Sequence, residues 1–370
     1  MAFVILLFII LYYSKTLIQE DRGFVSFLHF SFFISFKNNS IIINFNIVSR
    51  KIYQLEATDS ILEEKHTIRN DKDLQSPTNS LIPTKKRRLT LPEKYPYKLF
   101  PSIILAGFPK TGTTSVAYLL ASHPNVIFPG KKELNFLGVR AISESKYVEL
   151  FPDCRVENCT NKITIDGSIA LSVTQDGFDD CIHHFPDTKL VFVVRNPVEK
   201  AYSYFRMDYR NGKSKIKGVD SFEKVINTTL PQVEQFLIDF NLRRAETDPP
   251  VYFWDYLIAR GINKDIVKYI PGGLYYYLME PFLRSYPREK IHIVNNYKLE
   301  TDPETEMKKL FEFAGLSLDA EVDWEKLALN RHPPEEDMKP VTREMLTNFF
   351  KKYNQMFEDQ VGESFDLDKY

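Results

Sequence analysis

Apolar positions along the chain fall into distinct patterns, and each predicts a different element. Ile103 to Ala106 is an unbroken apolar run that stops at Gly107, and Leu190 to Val194 is a second, opened by Lys189 and closed by Arg195. Runs this short and this apolar read as strands buried on both faces of a parallel sheet. Lys290-Ile-His-Ile-Val294 reads as a further buried strand, and Asn161-Lys-Ile-Thr-Ile-Asp-Gly-Ser168 as a strand running into a turn. Between them the period lengthens. Val116-Ala-Tyr-Leu-Leu-Ala121 is helical and should end before Pro124, while Pro197 opens a second helix. Gly273 to Leu278 reads as helix and Phe282 to Pro287 as turn. Asp302-Pro303 starts another helix, which Gly315 closes as a C′ residue. Strands alternating with helices predict an α/β domain: a central, mainly parallel sheet flanked by helices.

The first hundred residues follow another rule. Met1 to Tyr13, Phe24 to Phe36 and Ile41 to Val48 are three apolar runs. Residues 1–50 are therefore expected to be a signal-anchor region, with a cleaved signal peptide as the alternative. Met1 to Tyr13 is shorter than the roughly 20 residues of a membrane-spanning helix, and charge asymmetry does not choose among the three. Residues 51–98 are polar, with Pro77, Pro83, Pro92 and Pro96, and read as a disordered stem or linker. That leaves residues 99–370 for the α/β domain.

The chemistry sits where the first buried strand ends. Lys110, Gly112 and four hydroxyl residues, Thr111, Thr113, Thr114 and Ser115, lie between Gly107 and the helix that follows. Backbone N–H groups at a helix start, with a lysine and hydroxyls beside them, make a site for a phosphate or sulfate group. The spacing of Gly107 and Gly112 suits a nucleoside-triphosphatase loop, G-x-x-x-x-G-K-[ST], but Thr113 stands where that loop has its lysine. The second strand ends in Arg195-Asn-Pro197, where a triphosphatase commonly has an aspartate for magnesium. An arginine there holds an anion instead. Ser203 lies about two turns into the helix opened by Pro197, so Arg195 and Ser203 can converge on a second anion.

Phe108-Pro-Lys-Thr-Gly-Thr-Thr-Ser115 resembles the 5′-phosphosulfate loop of sulfotransferases that use 3′-phosphoadenosine 5′-phosphosulfate (PAPS), a branch of the P-loop-like fold. Arg195-Asn-Pro-Val-Glu-Lys-Ala-Tyr-Ser-Tyr-Phe205 resembles their 3′-phosphate segment, with Lys200 where arginine is usual. The resemblance is nearest to the Golgi carbohydrate branch, especially heparan sulfate sulfotransferases. It implies that PAPS is the donor, Lys110 the catalytic lysine and no metal is needed. Gly130-Lys-Lys-Glu-Leu-Asn-Phe-Leu137 resembles the segment that carries the catalytic glutamate, which points to Glu133 as base and Lys132 beside it. Asp166 and Ser168 are candidate acceptor-pocket residues, and an ordinary Asx turn reads them as well. His123 reads as a helix terminus rather than a base. In Asn330-Arg-His-Pro333 the family's Lys-Gly pair is missing, and Arg331 retains part of a cofactor-covering role.

Composition narrows partners. The net charge of −1 gives no overall attraction for polyanions, so no nucleic-acid partner is expected and a carbohydrate acceptor must rest on local patches. Asn211 to Gly218, with Arg206 and Arg210 before it, is one such patch, although a solvated loop is its first reading, because charged loops are ordinary. The Lys85 to Arg88 cluster lies in the linker and reads as a feature beside the domain. Three cysteines hold no metal spacing; Cys154 and Cys159 could close a small loop in a lumenal protein, leaving Cys181 free, and three reduced thiols in the cytosol fit these counts too. Sequons at Asn38, Asn158 and Asn227 permit a lumenal site. The resulting expectation is a single-pass Golgi membrane protein with a lumenal catalytic domain, a secreted or cytoplasmic protein being the alternative. Acceptors other than carbohydrate, protein tyrosine or a small-molecule hydroxyl, stay open, and a nucleotide kinase or a non-catalytic PAPS-binding protein are the rival classes.

Overall fold

The computed structural model describes residues 89–211, 221–246, 252–260, 268–325 and 338–369, with the backbone of earlier strands at 20–21, 24–37 and 40–53. Two compact units divide the chain, Met1–Thr84 and Lys85–Tyr370.

In the first unit, strand β1 (Glu20–Asp21) pairs with β2 (Phe24–Lys37), which pairs antiparallel with β3 (Ser40–Tyr53) from Phe24↔Tyr53 to Lys37↔Ser40. Two of the three apolar runs are thus strands, which suits their aromatic and β-branched content and the alternation of Asn44, Phe45, Asn46 and Ile47. Met1 to Tyr13 lies outside the described residues, as do the Lys85 to Arg88 cluster and Arg331 with its loop. Among the described residues no helix is long and apolar enough to cross a membrane.

The second unit is built on five parallel strands in the order β5-β6-β4-β7-β8. They are β4 (Pro101–Gly107), β5 (Val126–Ile127), β6 (Ile163–Asp166), β7 (Lys189–Val194) and β8 (Ile291–Asn295). The period-2 rule splits their side chains between two cores. Ile104, Ala106, Leu190, Phe192 and Val194 join one cluster, and Ile103, Leu105, Val191 and Val193 join the other. Both faces are covered, which is why these runs are apolar without alternation.

Its first helix, α1 (Leu91–Lys94), falls inside the stretch that reads as linker. Thr90 and Glu93 form a reciprocal capping box, and Leu91 is fully buried. The unit therefore starts before residue 99: one buried leucine in a polar, proline-bearing stretch is too sparse a signal to read from periodicity. Helices α2 (Thr113–Ser122), α3 (Glu144–Glu149), α4 (Gln175–His184) and α5 (Pro197–Arg210) follow the strands in turn. The expected helix starts and stops hold at Pro197 and at Gly315, which has φ 76°. Further along stand α6 (Phe222–Glu246), α7 (Phe253–Ala259) and α8 (Tyr275–Ser285), then α9 (Asn296–Thr301), α10 (Pro303–Ala314) and α11 (Pro340–Val361). Phe282 to Ser285, read as turn, continues α8 past Pro281, because Phe282 is buried in the larger core. Cys154 and Cys159 form a disulfide, and Cys181 is a buried free thiol.

The α1 anchor gives a direct test. Leu91→Ala should lower the unfolding free energy by about 2–5 kcal/mol, as for other buried leucines, whereas Leu89→Ala, at a 49% exposed position, should change it by less than about 0.5 kcal/mol. Denaturant unfolding of both variants distinguishes an integrated α1 from a loosely attached one.

Candidate active site

Because β4 and β7 are neighbours, the loops leaving their carboxyl ends lie side by side, and ligands of open α/β sheets bind in such a crevice. The two anion-binding loops inferred from the sequence therefore share one cavity of about 750 Å³. Lys110, Gly112, Thr113, Thr114 and Ser115 line it from the β4 side, and Arg195 and Ser203 from the β7 side. Thr111 does not: it is fully buried, and its hydroxyl donates to the Phe108 carbonyl at 2.8 Å, closing the loop on itself.

The β4 loop is shaped by close approach. Gly112 has φ 100°, and a Cβ there would lie 2.7 Å from the Asn296 amide nitrogen. Helix α2 begins with no side-chain cap, so its first N–H groups face the cavity mouth beside Thr113 and Thr114. The β7 loop is pinned from behind. The buried Tyr275 hydroxyl donates to the Arg195 carbonyl at 2.9 Å and accepts the Arg195 N–H at 3.3 Å. Asn196 caps α5 by accepting from the Val198 and Glu199 N–H groups, with Pro197 at the first helical position. Met207 and Arg210 follow Ser203 on the same helix face and also line the cavity. Their i+4 and i+7 spacing was available in the sequence.

Lys132 and Glu133 also line the cavity. The Lys132 ammonium lies 3.0 Å from the Glu133 carboxylate; the glutamate side chain is 42% exposed and the lysine 10%. Asn296 and Glu300 of α9 complete the rim, and no pattern in the sequence marked them. A smaller cavity of about 210 Å³ adjoins, sharing Arg195, Asn296 and Glu300 and closed by Phe365 and Leu367 near the C-terminus.

Asp166 and Ser168 are not in the cavity. Both are fully buried, with Asp166 Oδ1 accepting from the Ser168 N–H at 2.9 Å and the Ser168 hydroxyl at 2.5 Å, and Oδ2 accepting from Tyr147 at 2.9 Å. This is the Asx turn, and it leaves no surface for an acceptor. Burial pushes the Asp166 carboxyl up to about 6, against the pull of those donors. His123 is likewise structural: buried, with Nδ1 accepting the Asn125 N–H and Nε2 3.2 Å from the Ser317 carbonyl.

Cations dominate the electrostatics. Burial lowers the Lys110 pKa first, and the charges of Arg210, Arg195 and Arg206 lower it further. Lys200, which replaces the usual arginine of its motif, is fully buried on α5. Burial, then the charge of Lys110, pushes its amine down to about 7.

A parallel sheet with a lysine- and hydroxyl-bearing loop after its central strand defines a P-loop-like protein, and the second cationic loop makes it one that can hold two separated anions. The chain belongs to the sulfotransferase family, whose sulfotransferase domain matches residues 100–352. It is 27% identical over 219 residues to heparan sulfate glucosamine 3-O-sulfotransferase 3B1 of Mus musculus, covering 59% of this chain and 47% of that protein. It is 24% identical over 320 residues to carbohydrate sulfotransferase 15 of Mus musculus, covering 71% of this chain and 54% of that one. The chain thus spans about half the length of the curated relatives it matches. Among solved structures, the sulfotransferase from Alicyclobacillus acidocaldarius shares the fold, with a TM-score of 0.54 at 19% identity, covering 72% of this chain and 97% of that one.

The depressed Lys200 amine carries a stability signature. An unfolded lysine keeps its proton to about pH 10.4, whereas the folded one releases it near 7. The contribution of this group to stability is therefore present above the unfolded value and lost as pH falls through the window from about 10 to about 7. Lys200→Met should melt higher than the parent at pH 7, with the gap closing toward pH 10. Thermal unfolding of the pair across that range checks it; parallel curves would show that Lys200 is not neutralised on folding.

Proposed function

We propose that the chain transfers the sulfuryl group of PAPS to a hydroxyl or amine of a carbohydrate, an anionic glycosaminoglycan-like chain being the acceptor that fits best. One observation carries the reading: Lys110 and the α2 N-terminus, Arg195 and Ser203, and Glu133 all face one cavity. The residues suit the donor, since four cations crowd a site whose own charges repel Lys110, and a dianion relieves that repulsion. Thr113, Thr114, Ser115 and Gly112 would hold the 5′-phosphosulfate with Lys110, and Arg195 and Ser203 the 3′-phosphate. Bound there, PAPS supplies the activated sulfuryl group.

The chain's own residues then account for three requirements of in-line transfer. Glu133 accepts the proton that the acceptor hydroxyl loses as its oxygen bonds to sulfur. Lys110 stabilises the charge left on the phosphate oxygen when the old sulfur–oxygen bond breaks. Lys132, paired with Glu133, orients the carboxylate and offsets charge on the sulfuryl oxygens. Arg210, on the outer turn of α5, adds positive charge where the acceptor enters. The relatives, a heparan sulfate and a carbohydrate sulfotransferase, favour a sugar acceptor. The Cys154–Cys159 disulfide suits an oxidising compartment and supports a lumenal domain, as in the Golgi.

Transfer from radiolabelled PAPS to a panel of desulfated glycans, tyrosyl peptides and phenols tests the assignment; label entering only peptides or phenols would replace the carbohydrate reading. Lys110→Ala should reduce turnover by roughly 10²–10³-fold or more, and full activity in that variant would end the mechanism. Glu133→Gln should keep affinity for the desulfated product nucleotide while losing about 10²–10⁴-fold in kcat, measured by calorimetry beside the transfer assay.

A further inference from the structure

The buried turn after β6 touches the active-site wall, and two of its hydrogen bonds fall on one loop. The Gly167 N–H donates to the Lys132 carbonyl at 3.0 Å. The Asn135 N–H donates to the Ser168 hydroxyl oxygen at 3.0 Å. These two bonds grip the chain one residue before Glu133 and two residues after it. Asn135 itself has φ 57°, so the loop turns sharply at the second grip. The approach is too close for a side chain: a Cβ on Gly167 would stand 2.6 Å from the Lys132 carbonyl oxygen and 2.7 Å from its Cγ.

Asp166 sets the polarity of the second grip. A hydroxyl has one hydrogen to donate and two lone pairs to accept with. The Ser168 hydrogen is taken by Asp166 Oδ1 at 2.5 Å, which leaves the oxygen lone pairs for the Asn135 N–H. Oδ1 also accepts the Ser168 N–H, and Tyr147, stacked on Phe136 at 4.4 Å between ring centroids, donates to Oδ2. The carboxylate is thus fixed from two sides, and a hydrogen bond to a charged acceptor is among the stronger kinds. Burying a charge is costly, and the three donors offset part of that cost. Phe136 adds a third link, since it belongs to the same loop and packs on the phenol that holds Asp166.

We infer that the Asp166-Gly167-Ser168 turn is a positioning device for the catalytic wall, acting through the Lys132 carbonyl and the Asn135 N–H to aim the Glu133 carboxylate into the cavity. It rests on the reading of Glu133 as base. None of the three residues touches substrate; each acts through the loop. Displacing a reacting group by about 1 Å costs on the order of 10²-fold in rate, so a loosened grip reads out in kcat. The donor-binding loops after β4 and β7 make no use of the turn, so affinity for PAPS is left as it was.

Steady-state kinetics of four variants provides the test, with PAPS varied at saturating acceptor. Ser168→Ala should lower kcat by roughly 10-fold and Gly167→Ala by about 10²-fold, each with the KM for PAPS within about twofold of the parent. Asp166→Ala should lose at least as much as Ser168→Ala, and Asp166→Asn, which retains an oxygen to accept the Ser168 hydrogen, should recover most of that loss. If Asp166→Ala or Gly167→Ala does not fold, Ser168→Ala, the smallest deletion, decides. Parent-like kcat in Ser168→Ala alongside an inactive Glu133→Gln overturns the positioning role while sparing the base. A rise in the KM for PAPS that matches the loss in kcat/KM, with kcat unchanged, overturns it too. Full turnover in Glu133→Gln instead removes the base assignment and the positioning role with it.

Discussion

The parallel pairing of β4 with β7 is the constraint on which the site depends. Ile103 to Leu105 pairs with Lys189 to Val191, and after a one-residue shift Gly107 pairs with Phe192, so the two loops that follow leave the sheet side by side. Positive charge is thereby concentrated on one edge: Lys110 from one loop, Arg195 from the other, and Arg206 and Arg210 from the helix that continues it. Nothing in a hydrophobic core favours that arrangement. The two apolar clusters on either face of the sheet hold it in place, and the Lys110 amine is lowered first by its burial and then by the charges of Arg210, Arg195 and Arg206. The separation of the two cationic loops follows from strand spacing rather than from any single side chain.

What could be read from the sequence was what local rules determine. The buried strands, the helix starts at Pro197 and Pro303, the αL glycine at 315 and the two anion loops are each written in a handful of adjacent residues. Ser203 could be placed with Arg195 because helical geometry fixes both. Asp166 and Ser168 could not be placed, because the same Asp-Gly-Ser turn either faces a pocket or supports one, and only the docking of the Lys132 to Asn135 loop decides which. Tyr275 and Asn296 reach the site from far along the chain, through a buried phenol and a glycine too close for a side chain. Leu91 was missed for the opposite reason: one apolar residue among prolines and charges has no period to reveal it.

The two halves of the cavity are built differently, and that difference bears on how the protein can vary. The donor half uses backbone N–H groups, a glycine that admits Asn296, and an arginine whose main chain is locked by Tyr275. Changing any of these disturbs the sheet edge itself. The outer half is made of side chains on exposed turns of α5, where Arg210 lies beyond the last residue that the donor loops require. The Glu133 loop lines the same cavity and is held from behind by a buried turn. The Glu133 loop is therefore tied to the fold through hydrogen bonds from behind, whereas Arg210 is carried on a helix surface.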